Sequence, residues 1–443
     1  MSYTSKSGRR PNEYASKSSH SHLVKDPEIQ SFLERCVFPK GADEANFSEV
    51  LKVNIKPTRN NPIENIIAID GGYSEISARK EFPSATIAFF QFGALIFSIQ
   101  DLESLENSPF IAPEDMEKLK KIERLKFSIP VKNIATEGQL SLTNSIRNEL
   151  FQFFSKDMGD HDSLNQTLEW LIFEGYLGGN AEWVLSSCPI CETRNILINK
   201  STVSSFTFPC SACKKTLFLT DCFRLHEAID DELGAGGILG YLVTTIEQVI
   251  LAHFVRIIIS KKASLLGQIL FVKDGPLAFF GQTANFHKPF RALFSYLIKE
   301  HDLNLVGLEK SGPFVDHAAE IAERLNRGSA LILDNNYIYK FIIPGNADPK
   351  NPYGRTTYYS NKVIYRTPSG GVYVASLPTT EILDNPKVSD FHNLEIILSN
   401  VSKLRCDMYD NSLVPIALVN KLVSLAAHPS SRILERFVKQ AMS

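Results

Sequence analysis

Apolar positions along the chain follow two rhythms. Strongly apolar stretches at 66–72 (IIAIDGG), 85–100 (ATIAFFQFGALIFSIQ), 268–277 (QILFVKDGPL) and 303–312 (LNLVGLEKSG) predict buried strands. The first and third reach Asp-Gly, which predicts a strand stopping in a tight turn. Helical spacing predicts a helix at the start of 25–62 (DPEIQSFLERC), two helices within 137–180, and helices at 240–260, 290–300 and 315–325. Charged residues dominate 101–126, the pattern of a solvated helix and loop. Two β-rich segments, TYYSNKVIYRT and VYVASLP, flank Pro-Ser-Gly-Gly at 368–371 and predict a hairpin. Helical stretches at 388–403 and 414–441 close the chain. The alternation of strand and helix through 268–325 predicts an α/β fold, and no internal repeat is found.

Composition narrows the class without naming a ligand. A chain of 443 residues, 44% apolar and 22% charged, excludes collagen, coiled coil and wholesale disorder. Lys and Arg number 47 against 49 Asp and Glu, so the net charge of -2 excludes a protein coated in positive charge. The two longest apolar stretches, 85–100 and 242–259, are interrupted by polar residues, so no membrane span is expected. Residues 1–25 are Ser-rich and basic without an apolar core, which predicts a disordered tail rather than a signal peptide. Seven cysteines, an odd count, with no export signal point to a reducing cytoplasm rather than a disulfide framework.

Four of those cysteines form two CxxC pairs, Cys188 with Cys191 and Cys210 with Cys213, with 18 residues between the pairs. Each pair places two thiolates on one turn, and two such turns joined by a hairpin make a closed tetrahedral site suited to structural Zn2+. Cys36, Cys222 and Cys406 lack partners at metal spacing and read as core thiols.

Asp70 and Asp274 each end an apolar strand and precede glycine. Carboxylates at the ends of neighbouring strands converge where α/β sheets bind ligands, and glycine there lets a metal or phosphate approach. Glu247 shares an apolar helical stripe with Leu251, Phe254 and Ile258, an expensive place for a carboxylate without a partner. Three oxygen ligands suit Mg2+ or Mn2+, and two ions about 3.5–4 Å apart would activate water for phosphodiester hydrolysis. Lys310, just past the apolar part of LNLVGLEKSG, is placed to hold a phosphate. In the same cluster, Asp316 reads as ordinary helix-start pairing. Tyr358, Tyr359 and Lys362 are candidates for contact with a single strand, or for simple packing.

The blocks IIAIDGGYSE, FVKDGPLAFFGQTA, GLEKSGPFVDHAAEI, TYYSNKVIYRT and VYVASLPT resemble the NurA nucleases, and more closely long bacterial NurA-domain proteins with a zinc-ribbon insertion. The resemblance spans about residues 60–430. It implies an RNase H-like mixed sheet flanked by helices, interrupted by a four-cysteine zinc ribbon. The core would occupy 26–182 and 223–443, with the ribbon at 183–222. It further implies a Mn2+-dependent nuclease acting on DNA ends and single strands, a homodimer, and a HerA-type hexameric ATPase partner, in DNA repair or anti-phage defence. The family's metal-binding aspartates fall on Asp70 and Asp274, and its helix glutamate falls on Glu247, with Glu227 and Glu232 as alternatives. Asn420, in LVPIALVNKL, stands where the family carries a His or Asp ligand. An uncharged amide there weakens that part of a metal site and supports a second reading, a catalytically weak zinc-ribbon adaptor that regulates the ATPase.

Overall fold

A computed structural model describes residues 22–47, 51–100 except 57, 59, 80, 82 and 83, 124–406 except 160 and 180, 413–425 and 430–441. Helix α1 (Pro27–Glu34) and a short strand β1 (Lys52–Asn54) precede a meander of β2 (Asn65–Arg79), β3 (Ala85–Ser98) and β4 (Leu125–Lys132). Helices α2 (Leu142–Ser155) and α3 (Leu164–Ile172) follow, their first turns capped by the side chains of Ser141 and Ser163. Two small hairpins come next, β5 (Glu182–Ser187) with β6 (Arg194–Asn199), and β7 (Thr207–Pro209) with β8 (Thr216–Phe218).

The long helix α4 (Leu239–Lys262) feeds β9 (Ile269–Asp274), and α5 (His287–His301) crosses over to β10 (Asn304–Glu309). After these come α6 (Pro313–Ile321), β11 (Ser329–Ile332), α7 (Asn335–Phe341) and the hairpin β12 (Ser360–Arg366) and β13 (Val372–Pro378). The last helices are α8 (Leu394–Lys403), α9 (Val414–Val423) and α10 (Ser430–Ala441).

Nine strands form one mixed sheet in the order β1-β11-β12-β13-β10-β9-β2-β3-β4. Within it, β3 is antiparallel to both β2 and β4, whereas β9 is parallel to β2 and β10 is parallel to β9. That segment, β4-β3-β2-β9-β10, has the strand order and directions of the RNase H-like fold, and β13, β12, β11 and β1 extend it by antiparallel pairing.

Alternation along the strands divides the core into two faces. Ile67 and Ile69 of β2 and Phe271 of β9 pack with α2–α5, while Ile66, Ala68, Leu270 and Val272 pack with α8 and α9. On the α4 side, further along the sheet, Leu331, Ile364 and Val374 pack under α6 and α7. Helix α4 lies within Gly236–Gln268, a segment apolar and long enough to cross a membrane, yet 67% of its apolar window is buried inside the protein. It is the central helix of the core, which explains why its sequence is apolar on nearly every side.

Several elements differ from the sequence expectation. β2 does not stop at Asp70: it runs on through Gly71 and Gly72 to Arg79, paired with β3 throughout. Neither glycine has a left-handed backbone; both sit where a side chain would collide, as described below. β4 lies across the end of a stretch read as solvated helix and loop, and its signal is the period-two series Leu125, Phe127, Ile129, Val131. Its Pro130 is tolerated because β4 is an edge strand. Residues 101–123 of that stretch and residues 1–21 of the tail lie outside the described residues. The closing stretch 414–441 contains two helices, α9 and α10, rather than one.

Candidate metal centres

The two CxxC turns are built alike. In each, the residue after the second cysteine is left-handed, Glu192 at φ 60° and Lys214 at φ 62°. Its N–H donates to the carbonyl of the first cysteine, at 3.0 Å to Cys188 and 3.1 Å to Cys210. The N–H of the first cysteine in turn donates to the carbonyl two residues beyond the second, Thr193 or Lys215, at 2.9 Å in both turns. This repeated geometry points all four sulfurs inward: the Sγ atoms of Cys188, Cys191, Cys210 and Cys213 lie within 4.8 Å of one another. Four thiolates at that spacing fit a tetrahedral metal ion of the Zn2+ type.

The ribbon is docked, not free. Leu185, Ile196, Ile198, Phe208 and Leu217 join the main core. Arg147 of α2 makes two 2.7 Å hydrogen bonds to the Asp221 carboxylate at the ribbon's base, and both residues are buried. Cys222 and Cys406 are buried away from the cluster, and Cys36 is partly exposed.

The carboxylates gather where β2 outruns β9. Asp70 follows the last β2 residue paired with β9, and Asp274 ends β9 itself. Asp70 is 3% exposed. Its Oδ1 accepts the Gly71 N–H at 2.8 Å, and its buried Oδ2 has no hydrogen-bond partner. Burial, then the charges of Asp274 and Glu247, push the Asp70 carboxyl up to about 8, against the opposing pull of Lys310 and the Gly71 N–H. A buried carboxylate oxygen without a donor, within electrostatic reach of two further carboxylates, is the environment a divalent cation relieves.

Glu247 projects from α4 at 5% exposure. Burial raises its pKa, opposed by Lys273, whose ammonium lies 3.0 Å from its Oε2. Asp274 pairs through Oδ2 with Lys310 at 2.6 Å. After it the chain turns sharply at Gly275, which is left-handed at φ 85°. Gly71 has a different reason to be glycine. A β-carbon there would lie 2.6 Å from the Phe92 ring and 3.2 Å from Glu247 Oε1, so its absence lets the glutamate reach Asp70's strand. At Gly72 a β-carbon would lie 3.0 Å from the Val423 carbonyl oxygen at the end of α9. The space beside both glycines is thus taken by protein, not left open for a ligand.

Asp70 thus lies within electrostatic reach of Asp274, Glu247 and Lys310, with Asp70 and Asp274 on the α8 and α9 side of the sheet and Glu247 reaching in from α4 on the other. Lys273 belongs with them and was missed in the sequence; its signal was a lone lysine inside the apolar run ILFVKD. Glu227 lies elsewhere: burial raises its pKa, but Arg224, Ser186 and Ser187 hold it down to about 2. Glu232 is exposed in a turn closed by the Asp230 side chain. Asn420 is exposed near the end of α9, and among the described residues its side chain has no hydrogen bond to the carboxylates.

Tyr358, Tyr359 and Lys362 are buried and do not form a surface for a nucleic-acid strand. Lys362 forms an ion pair with Glu309 and lies 4.1 Å over the Phe314 ring, while Tyr359 donates to Gln248 Oε1 at 2.7 Å. Asp316 is exposed, and its neighbour His317 is buried against Tyr337.

Strand order and thiolate geometry define the class: an α/β protein with an RNase H-like sheet, carrying an inserted four-cysteine ribbon. No protein-family model and no curated protein matches the chain. Among solved structures it is similar to the NurA nuclease from Sulfolobus solfataricus, at 10% identity and a TM-score of 0.32 over 96% of this chain and 97% of that one. A structure of NurA with manganese aligns at 12% identity and a TM-score of 0.31, over 97% and 99% of the two chains.

Proposed function

We propose that this protein is a divalent-metal-dependent deoxyribonuclease. The observation that carries the reading is the buried, unpartnered Oδ2 of Asp70, which shares the strand ends of an RNase H-like sheet with Asp274 and lies within electrostatic reach of Glu247 on α4. Asp70 and Asp274 would hold Mn2+ or Mg2+, with Glu247 as the helix carboxylate. An ion held there would supply activation of a water and charge compensation at the leaving oxygen. The chain's own groups supply the rest. Lys310, partly exposed and borrowed by Asp274, is free to turn its ammonium to a non-bridging phosphate oxygen. The Gly71 N–H and the core under β2 fix the orientation of Asp70. The sequence blocks that resemble NurA nucleases support the finer proposal of DNA ends and single strands as substrate, a homodimer, and a HerA-type ATPase as partner.

The test is cleavage of end-labelled linear and single-stranded DNA in Mn2+, with and without a HerA-type ATPase. Asp70→Ala and Asp274→Ala are expected to lower the rate by about three orders of magnitude or more. Variants that cut as fast as the unaltered chain would remove the assignment. Wild-type protein that binds the ATPase without cutting DNA would favour the adaptor reading.

A further inference from the structure

Lys273 is 2% exposed, in the strand that ends in Asp274. Alternation along β9 places it with Phe271 on the α4 side of the sheet, whereas Asp274 goes with Val272 on the α8 and α9 side, as Asp70 goes with Ala68. From the α4 side its ammonium lies 3.0 Å from Glu247 Oε2 and donates to the Asp274 carbonyl oxygen at 2.5 Å. An ammonium held between a carboxylate and a carbonyl has the oxygen surroundings of a bound cation. Lys310 is different, since it pairs with Asp274 from a partly exposed position and is able to leave.

Charge decides how many metal ions such a cluster accepts. Asp70, Glu247 and Asp274 bring three negative charges, and Lys273 adds one positive charge that the fold keeps in place. With Lys310 turned from Asp274 to a substrate phosphate, the remaining two negative charges match one divalent cation. A second ion would leave the buried cluster net positive and would compete with the ammonium for Glu247, both costly away from water.

We propose that Lys273 is a positioning residue that ties Glu247 to the α4 side and takes the place of a second metal, so that Asp70 and Asp274 bind a single divalent cation. This rests on the metal-dependent reading above and replaces the two-ion arrangement that the donor residues alone suggest.

The test counts ions rather than turnover. Full-length, zinc-loaded protein is titrated with Mn2+ while electron paramagnetic resonance follows both the free aquo ion and the bound spectrum. One Mn2+ per chain with an uncoupled spectrum is expected; two spin-coupled Mn2+ ions would overturn the proposal. Lys273→Met is expected to raise the count from one to two and to introduce spin coupling, which a purely structural lysine would not do. An unchanged count and affinity in that variant would also overturn it, and should the variant not fold, the wild-type count and spectrum decide alone. Wild-type protein that binds no Mn2+ would instead sink the metal-dependent reading itself, and the inference with it.

Discussion

Lys310 Nζ lies 2.6 Å from Asp274 Oδ2, reaching across from the residue just beyond β10 to the last residue of the parallel strand β9. The register explains the contact. Asp274 is opposite Leu308, and Lys310, two residues on, shares that residue's face.

A pair so placed separates binding from chemistry. Lys310→Met leaves the carboxylates intact, so Mn2+ affinity should change little while DNA cleavage falls about 100-fold, the typical effect of losing one transition-state cation or donor. Parallel Mn2+ titrations and single-turnover cleavage measure the two effects. A variant that cuts at the wild-type rate would show that Lys310 serves only as the aspartate's counter-ion.

Asp70 makes stability depend on pH in an unusual direction. Its carboxyl has an ordinary value of 3.8 and is pushed up to about 8 in the fold, so between those values the folded chain holds a proton that the unfolded chain releases. Without a divalent cation, stability should therefore fall as pH rises from about 4 to about 8, by an amount on the order of a few kcal/mol. Asp70→Asn should abolish that part of the decline and melt higher than wild type at pH 8. Mn2+ should raise the wild-type Tm more at pH 8 than at pH 5.5 and leave the Asn variant unmoved. Thermal melts across this range check the sign, and a wild-type Tm that climbs from pH 5 to 8 without metal would contradict it.

For the ribbon, metal analysis should find about one Zn2+ per chain. Cys188→Ser or Cys210→Ser should lose it, because each removes a buried ligand, whereas Cys222→Ser, buried outside the cluster, should keep it. Zinc loss should expose 183–222 to limited proteolysis, since short hairpins depend on the metal for their fold. Protease resistance that is the same with and without zinc would mean that docking through Arg147 and Asp221 suffices to hold the ribbon.

Much of this was legible in the chain. The CxxC spacing specified its site because all four ligands come from two local turns, each closed by hydrogen bonds within a few residues. The strands β9 and β10 and the helix α4 were readable from apolar runs longer than any loop would carry. Asp-Gly at 274–275 was a true turn, but Asp-Gly-Gly at 70–72 was not. Nothing local distinguishes a glycine needed for a left-handed backbone from one needed because Phe92, Glu247 and Val423 press against it.

By itself, then, the sequence determined what is local: the thiolate turns, the alternation that assigns each strand residue a face, and the presence of carboxylates at strand ends and on an apolar helix. Tertiary structure decided what depends on distance between segments far apart in the chain. It put Glu247 beside Gly71 and paired Glu227 with Arg224, buried Tyr358, Tyr359 and Lys362, left Asp70 Oδ2 without a partner, and set Lys273 between Glu247 and the Asp274 carbonyl. The reason is electrostatic as well as geometric. Whether a charge is balanced depends on what faces it across the core, and no spacing along the chain records that.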